Sequence, residues 1–585
     1  MNKPITQLWS CLSISRKKQL VLLFLLTLFA SIAEVGSIGA VLPLLGALTK
    51  PELLYEQELL QPLIRVMKIN SPGDILLPLT VLFILTVCIT ALIRILLLVL
   101  QTRLAHAIGA DLSVEIFQRT LYQPYHVHIS RNSSEIIAGV SSKVNQVVYL
   151  GLVPLLTMAS SIIILSIILT ALIAIESLIV MSALAGLGMV YLLITLATRD
   201  RLASNSLVVS QNSELVIKVL QEALGGIREV LIDGTQRVYC KIYREADIAF
   251  RNAQANNQIL GASPRFIIEA MGMSLIAILA FIFTLREKEL GMSQTIPLLG
   301  AVALGAQRLL PILQQLYQAW SSLKGVEQIL QDVLNLIRQP LPNIDRSKTE
   351  PIKFQESIVL NNVGYCYSLN GPLVFSNLSL KIKKGDRIGI IGTTGSGKST
   401  LLDILMGLLL PSTGRLEIDG LPISSENYSG WRAHIAHVPQ NIFLADASIA
   451  ENIAFGVPFD QIDIERVRLA AEKAQISGLI ESWKLKYKTM VGERGVRLSG
   501  GERQRIGIAR ALYKPVDVII FDEATSALDT ETESRVMNTI NTIDRNITLI
   551  IVAHRLSTLA GCDFIYQVSR GNLEISEAHY LLGSQ

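Results

Sequence analysis

The chain is poor in charge and in cysteine. Asp, Glu, Lys and Arg make up 17% of its 585 residues, and their surplus is only +4 at neutral pH. That surplus gives no case for nucleic-acid binding, which needs a concentrated basic face. Cys11, Cys88, Cys240, Cys366 and Cys562 lie far apart with no C-x-x-C pair. Such spacing excludes both a zinc ribbon and a disulfide framework. His106, His126 and His128 share one connection, but none stands at the i, i+4 helical spacing of a metal site. There is also no small-residue cleavage site after the apolar run that follows Arg16-Lys17-Lys18. The run continues past residue 40, so it reads as a retained membrane span and not as a leader.

What the chain has in abundance is apolar residues, 50% of the total, with a mean hydropathy of +0.45. Most of them fall in the first 330 residues. A membrane span needs about 20 mostly apolar residues to cross ~30 Å of hydrocarbon. Six segments qualify: 20–46, 75–101, 147–174, 178–198, 266–285 and 295–322. The third and fourth are parted only by the turn Ile175-Glu176-Ser177, which predicts a tight hairpin.

Positive charge orients the spans. Arg16, Lys17 and Lys18 place the N-terminal side in the cytoplasm. The connection from span 2 to span 3 carries Arg103, Arg119, Arg131 and Lys143, and that from span 4 to span 5 carries nine Arg and Lys residues from Arg199 to Arg265. Both therefore face the cytoplasm. Asn132-Ser133-Ser134 fits the glycosylation pattern but falls on that side, so it is discounted. Both connections lack Pro/Gly clusters and space apolar residues as a helix does, as at Leu215, Val219, Leu220 and Leu224. They are expected to be helices extending below the bilayer, with tips near Tyr125–Asn132 and Leu220–Gly226 that touch the second domain. Segment 52–67 is short and amphipathic and is expected at the outer surface.

Five charges fall inside or at the ends of spans: Glu34, Arg94, Arg265, Glu269 and Arg308. A charge at mid-bilayer costs at least ~2.5–3.5 kcal/mol and needs a partner or a wet cavity. One reading pairs these residues with one another across spans. The preferred reading is an anion-binding cavity, since three arginines outnumber two glutamates and guanidinium forks match phosphate oxygens.

The second half reads as a soluble α/β domain. Residues 1–330 are expected to form the membrane domain, 331–352 a proline-punctuated linker, and 353–585 the soluble domain. The buried-strand pattern Arg387–Ile391 runs into Gly392-Thr393-Thr394-Gly395-Ser396-Gly397-Lys398-Ser399, and a helical run Thr400–Leu409 follows. This is a P-loop in its proper strand–loop–helix context. Its glycines let backbone N–H groups face phosphate oxygens at a helix N-terminus. Lys398 is placed to reach the β/γ-phosphates and Ser399 to ligate Mg²⁺. Val518-Ile519-Ile520-Phe521-Asp522 is an apolar strand ending in a carboxylate for the metal, and Glu523 is the candidate to polarise the attacking water.

Leu498-Ser499-Gly500-Gly501-Glu502-Arg503-Gln504 follows the P-loop, and His554 stands alone after Asp522-Glu523. With these motifs, residues 354–575 resemble the nucleotide-binding domain of an ATP-binding cassette exporter. The resemblance implies that Tyr367 stacks on adenine, and that Thr400 completes the P-loop contacts. It also implies that Gln440 senses magnesium, that Asp529 closes the D-loop and that His554 lies near the γ-phosphate. Leu498, Ser499, Gly500, Gly501, Glu502 and Gln504 match the signature that caps ATP on the opposite subunit. One cassette per chain then implies a dimer, and intact catalytic positions imply a homodimer. Thr489-Met490-Val491-Gly492-Glu493-Arg494-Gly495 departs from the exporter T-E-V-G-E-R-G pattern at Met490.

The expected fold is therefore an all-α six-helix transmembrane domain followed by an α/β P-loop ATPase domain, the type IV ABC exporter. More narrowly, the membrane half resembles lipid-linked oligosaccharide flippases of the PglK kind. The matching residues are Ala33-Glu34-Val35, Val41-Leu42-Pro43, Pro264-Arg265-Phe266-Ile267-Ile268-Glu269 and Gln307-Arg308-Leu309-Leu310-Pro311. That resemblance implies a polyprenyl-pyrophosphate saccharide as cargo, ATP and Mg²⁺ as cofactors, and a bacterial inner membrane as the location. A multidrug, lipid or peptide exporter of the same fold is the rival. No protease-like stretch precedes span 1, which argues against an exporter that processes peptides. A cassette that gates without pumping is disfavoured, because Glu523 and His554 are both present.

Overall fold

The computed structural model describes residues 2–49, 52, 71–340 except 176 and 291, and 352–576 except 369, 370, 526, 527, 554 and 570. The chain divides into two compact units: Met1–Tyr122 with Arg131–Pro340, and Gln123–Ser130 with Leu341–Gln585.

The first unit is helical. Six of its long helices fall on the expected spans: α1 (Ile14–Gly39), α2 (Leu76–Leu121), α3 (Val153–Ile175), α4 (Ser177–Gly225), α5 (Pro264–Leu290) and α6 (Met292–Gly325). Among the described residues, Ile14–Ser37, Leu76–Leu121 and Ser133–Thr170 are long and apolar enough to cross a membrane. The hairpin is where expected, since α3 ends at Ile175 and α4 begins at Ser177. At 46 and 49 residues, α2 and α4 outrun the bilayer. At 1.5 Å per residue each is ~70 Å long against a ~30 Å hydrocarbon core. Their polar halves continue as helix, as the unbroken apolar spacing predicts. Segment 52–67 lies outside the described residues, apart from Glu52.

One boundary is corrected. Residues 331–337, expected as linker, belong to helix α7 (Glu327–Ile337), whose Ile329, Val333 and Leu334 are buried with Ile108, Ile116 and Val147. The first unit thus runs to Pro340. Its most unusual interior group is Lys143, only 2% exposed. The ammonium donates to Asp332 Oδ2 of α7 at 2.6 Å, to Ser210 Oγ of α4 at 3.1 Å and to Glu214 of α4. Two π-helical turns, Ala138–Lys143 and Val147–Leu152, carry this segment past its neighbours. Such turns insert a residue into a helix and turn a side chain inward.

The second unit holds two sheets. β1 (Ser357–Cys366), β2 (Leu373–Lys383), β4 (Thr413–Ile418) and β5 (Leu421–Pro422) form an antiparallel sheet in the order β2-β1-β4-β5. β3 (Arg387–Ile391), β6 (Ile435–Val438), β7 (Val518–Asp522), β8 (Thr548–Val552), β9 (Phe564–Ser569) and β10 (Asn572–Ile575) form the other, in the order β10-β9-β3-β8-β7-β6. All its pairings are parallel except β9 with β10. Its central strands are apolar on both faces because core packs on each side, as parallel sheets require. Ile390 of β3 and Asp522 of β7 both align with Val552 of β8. The carboxyl ends of β3 and β7 therefore finish level, one strand apart.

Candidate ATP site

That shared edge positions the chemistry, as the carboxyl ends of strands do in open α/β sheets. β3 delivers the chain into the P-loop, and the helix α8 (Lys398–Leu405) leaves it. Gly397 caps α8 with φ +104, in the left-handed region, and a Cβ there would meet Phe375 Cζ at 2.9 Å. A Cβ on Gly392 would meet the Val568 carbonyl at 2.6 Å. Both positions admit only glycine. Thr393, Thr394, Gly395 and Ser399 are exposed along the loop.

The loop's residues fit a triphosphate with Mg²⁺. Lys398 Nζ is buried against the loop's own carbonyls, Gly392 O at 2.8 Å and Thr393 O at 3.1 Å. Ser396 Oγ is buried with no hydrogen-bond partner. A buried hydroxyl of this kind is costly unless something supplies an acceptor, and phosphate oxygens would. Burial, then the neighbouring Glu523, hold the Asp522 carboxyl above the usual range, with Lys398 opposing. A carboxylate in that state favours a cation beside it. No three His, Cys, Asp or Glu side chains cluster for a metal among the described residues. Mg²⁺ takes one or two protein ligands and completes its shell with phosphates and water. Asp522 and Ser399 are the residues that would hold it, and the metal would neutralise charge on the phosphates.

Glu523 is held in a strained position. Its φ is +50°, uncommon for any residue but glycine. Its amide donates to Val552 O at 3.0 Å, and its carboxylate accepts from Gln440 Nε2 at 2.7 Å. Gln440 therefore touches the candidate base directly, in addition to the metal role expected of it. Tyr367 is half exposed, and its hydroxyl lies 2.9 Å from the buried Thr400 Oγ1, beside the P-loop. Tyr365 packs edge-on against its ring at 5.1 Å. His554 lies outside the described residues, so its place is not stated.

The signature stands at its own helix N-terminus. Ser499 caps the helix α9 (Gly500–Tyr513), accepting from the Glu502 amide while Glu502 reaches back to the Ser499 amide. Gln504 and Leu498 are both buried. Gly500, Gln504, Gln440, Arg494 and Arg503 line a cleft of about 360 Å³, and the P-loop is not among its walls. Asp529 caps the helix Thr530–Asn541 through the Thr532 amide. Ser448 bridges to Met490, so the departing residue occupies a paired position.

One feature was missed from sequence. Asp403 lies on α8, one and a half turns beyond Lys398; burial and then Asp522 push its carboxyl up to about 6. An acid in the apolar run 400–409 was the available signal. The helix Tyr125–Ser130, within the tip expected to touch the second domain, is compacted with the cassette. The Tyr125 hydroxyl is pushed up by burial and then by Asp403 and Tyr367.

In the membrane unit, four of the five charged candidates pair off. Arg94 Nε meets Glu34 at 2.7 Å, with Glu34 only 1% exposed. Arg265 Nε meets Glu269 at 2.7 Å, and Gln314 Nε2 donates to the same carboxylate at 3.3 Å. These pairs match the alternative reading, in which the charges meet one another; the buried Glu34 in particular demands a counter-charge in hydrocarbon. Arg308 lies on α6, and its side chain is outside the described residues.

Comparison with known proteins agrees with this architecture. The ABC transporter transmembrane region matches residues 53–304, and the ABC transporter cassette matches 375–526. A membrane region followed by a cassette in a single chain defines the class, and the chain belongs to the ABC transporters. It has the fold of a bacterial Atm1-family ABC exporter solved with ATP bound, with a TM-score of 0.80 over 97% of this chain and 96% of that one, at 23% identity. The leukotoxin translocation ATP-binding protein LktB of Mannheimia glucosida is 37% identical over 279 residues, 48% of this chain and 39% of that protein. The alpha-hemolysin translocation ATP-binding protein HlyB of Escherichia coli O157:H7 is 37% identical over 276 residues, 47% and 38% of the two chains. The ATP-dependent lipid A-core flippase of Chromohalobacter salexigens is 31% identical over 364 residues, 62% of each. The match thus spans well under half of each toxin translocator and under two thirds of the flippase.

Proposed function

We propose that the chain is one half of a homodimeric, ATP-driven exporter of a bacterial inner membrane, with its cassette in the cytoplasm. Its cargo on this reading is a lipid-linked saccharide carrying phosphate or pyrophosphate. ATP binding closes two cassettes and hydrolysis reopens them, provided that ATP favours the closed pair. Support for the dimer comes from the signature at α9, which lines a cleft apart from its own P-loop. A second copy would bring Ser499, Gly500 and Gly501 to that loop.

Arg94 carries the cargo reading. It is 41% exposed within a membrane helix and is pinned through Nε by the buried Glu34. A guanidinium held on one edge is pre-oriented to offer its other edge to an anion. Arg308 is proposed as its companion. The flippase match covers more of this chain than the toxin-translocator matches do, which favours a lipid cargo over a polypeptide.

The test is ATPase activity of the full-length protein in nanodiscs, with and without a polyprenyl-pyrophosphate glycan. Glu523→Gln serves as the blank. Stimulation that disappears in Arg94→Ala or Arg308→Ala supports the reading. A basal rate indifferent to the glycan but raised by drugs or peptides moves the cargo to those classes.

A further inference from the structure

A groove of about 660 Å³ runs between α1 and α2. Leu22, Leu25 and Phe29 line it from α1, and Leu96 and Leu100 from α2. These walls are apolar and largely exposed, Phe29 at 70% and Leu22 at 66%. From Arg16 to Phe29 the groove rises roughly 20 Å along α1, a little more than one leaflet of a ~30 Å hydrocarbon core.

Its mouth is basic. Arg16 Nε and Nη2 reach Asp111 at 2.8 and 3.3 Å, and Nη1 reaches Gln19 at 3.0 Å. That clamp ties α1 to α2 and engages Asp111, and among the described residues that line the groove there is no carboxylate. Arg103 lines the same mouth, two helical turns before Asp111 on α2, and is exposed. Among the described residues it has no ion-pair partner. Two arginines against one aspartate leave the mouth positive. Just outside, Lys17 lies over the exposed Trp9 ring at 5.9 Å. An exposed Trp beside Lys marks the level where hydrocarbon meets headgroups.

We propose that this groove binds one anionic phospholipid of the cytoplasmic leaflet, with an acyl chain along the leucine walls and the phosphate on Arg103. Basic pockets between membrane helices on the cytoplasmic side recognise anionic headgroups in this way. An apolar trough that ends in an unpaired guanidinium complements a lipid, whereas a free phosphate would leave the trough unfilled. The inference rests on the membrane orientation alone and is independent of the cargo and the ATP site.

The test takes the full-length protein in detergent with equal amounts of phosphatidylglycerol and phosphatidylcholine. Native mass spectrometry counts the lipid retained, and thermal unfolding reads the stabilisation. Phosphatidylglycerol is expected to be retained preferentially, and Arg103→Ala to weaken that retention about fivefold, the contribution of one interfacial arginine. Arg228→Ala, on an exposed cytoplasmic helix, is expected to leave it unchanged. Ala107→Trp, which narrows the mouth without altering charge, is expected to lower retention as well. Equal retention of the two lipids, or unchanged retention in Arg103→Ala, overturns the proposal. Stabilisation by inorganic phosphate alone to the same extent also overturns it. So does loss of the dimer in Leu25→Glu with lipid retention intact, since a second copy would then cover the groove.

Discussion

At the residue scale the cassette concentrates its tension around Glu523. A left-handed φ of +50° and a 2.7 Å bond from Gln440 hold a carboxylate beside an Asp522 that burial already disfavours as an anion. Such strain persists only where the surroundings enforce it. Glu523→Gln keeps the shape and removes the base, so phosphate release is expected to fall by ~10²–10⁴. Filter-bound ATP should be retained; loss of binding would assign Glu523 to the cradle instead. A second residue sets a pH limit. His437 of β6 is half-buried with its Nε2 out of water, and burial pulls its imidazole down to about 4 from an ordinary 6.5. The unfolded chain therefore takes up the proton first as pH falls. Stability from the neutral ring is whole above pH 6.5 and is lost progressively towards pH 4, to the extent of about 3 kcal/mol. Asp403 works in the opposite direction, since its raised carboxyl favours the fold as pH falls below about 6. Thermal unfolding of His437→Gln beside the parent cancels that contribution. The variant should lose less stability between pH 7 and pH 5, and parallel curves would refute the assignment.

At the scale of elements, Lys143 joins three helical segments in the first unit. One ammonium serves Asp332 on α7 and both Ser210 and Glu214 on α4. Breaking a buried pair from one side costs ~3–5 kcal/mol, because charge is left unpaired in the interior. Lys143→Met should lower the unfolding temperature, and adding Asp332→Asn should restore part of it. Additive losses in the double variant would show that the two do not act as a unit. The hub was invisible in the sequence, where Lys143 counted only as a positive-inside marker and its partners lie 71 and 189 positions away. The P-loop was fully legible, because its glycines, lysine and serine are contiguous and the strand before them is uniformly apolar. Glu34, Arg94, Arg265 and Glu269 were all identified as costly, but which carboxylate met which arginine depended on helix packing. Helix α7 was lost to an expected linker because the prolines at 340 and 342 drew attention. Its own spacing, Ile329, Leu330, Val333, Leu334 and Ile337, was helical throughout.

At the scale of the whole molecule, an ATP site assembled from two chains makes a prediction that no single-chain mechanism shares. In a symmetric pair, each site would take Lys398 and Glu523 from one copy and Ser499 from the other. A Lys398→Ala homodimer then lacks the lysine at both sites, and a Ser499→Arg homodimer lacks the signature at both. Each should be inactive alone. In a mixed dimer the defects gather at one site, and the other receives an intact P-loop and an intact signature. Random pairing makes half the dimers mixed with one complete site each, so co-expression should restore up to about a quarter of wild-type turnover. Phosphate release from co-purified, differently tagged chains measures this directly. Zero recovery with mixed dimers present in the expected proportion would mean that one complete site cannot turn over alone. Activity in the Ser499→Arg homodimer would place the whole ATP site within one cassette and remove the strongest argument for the dimer.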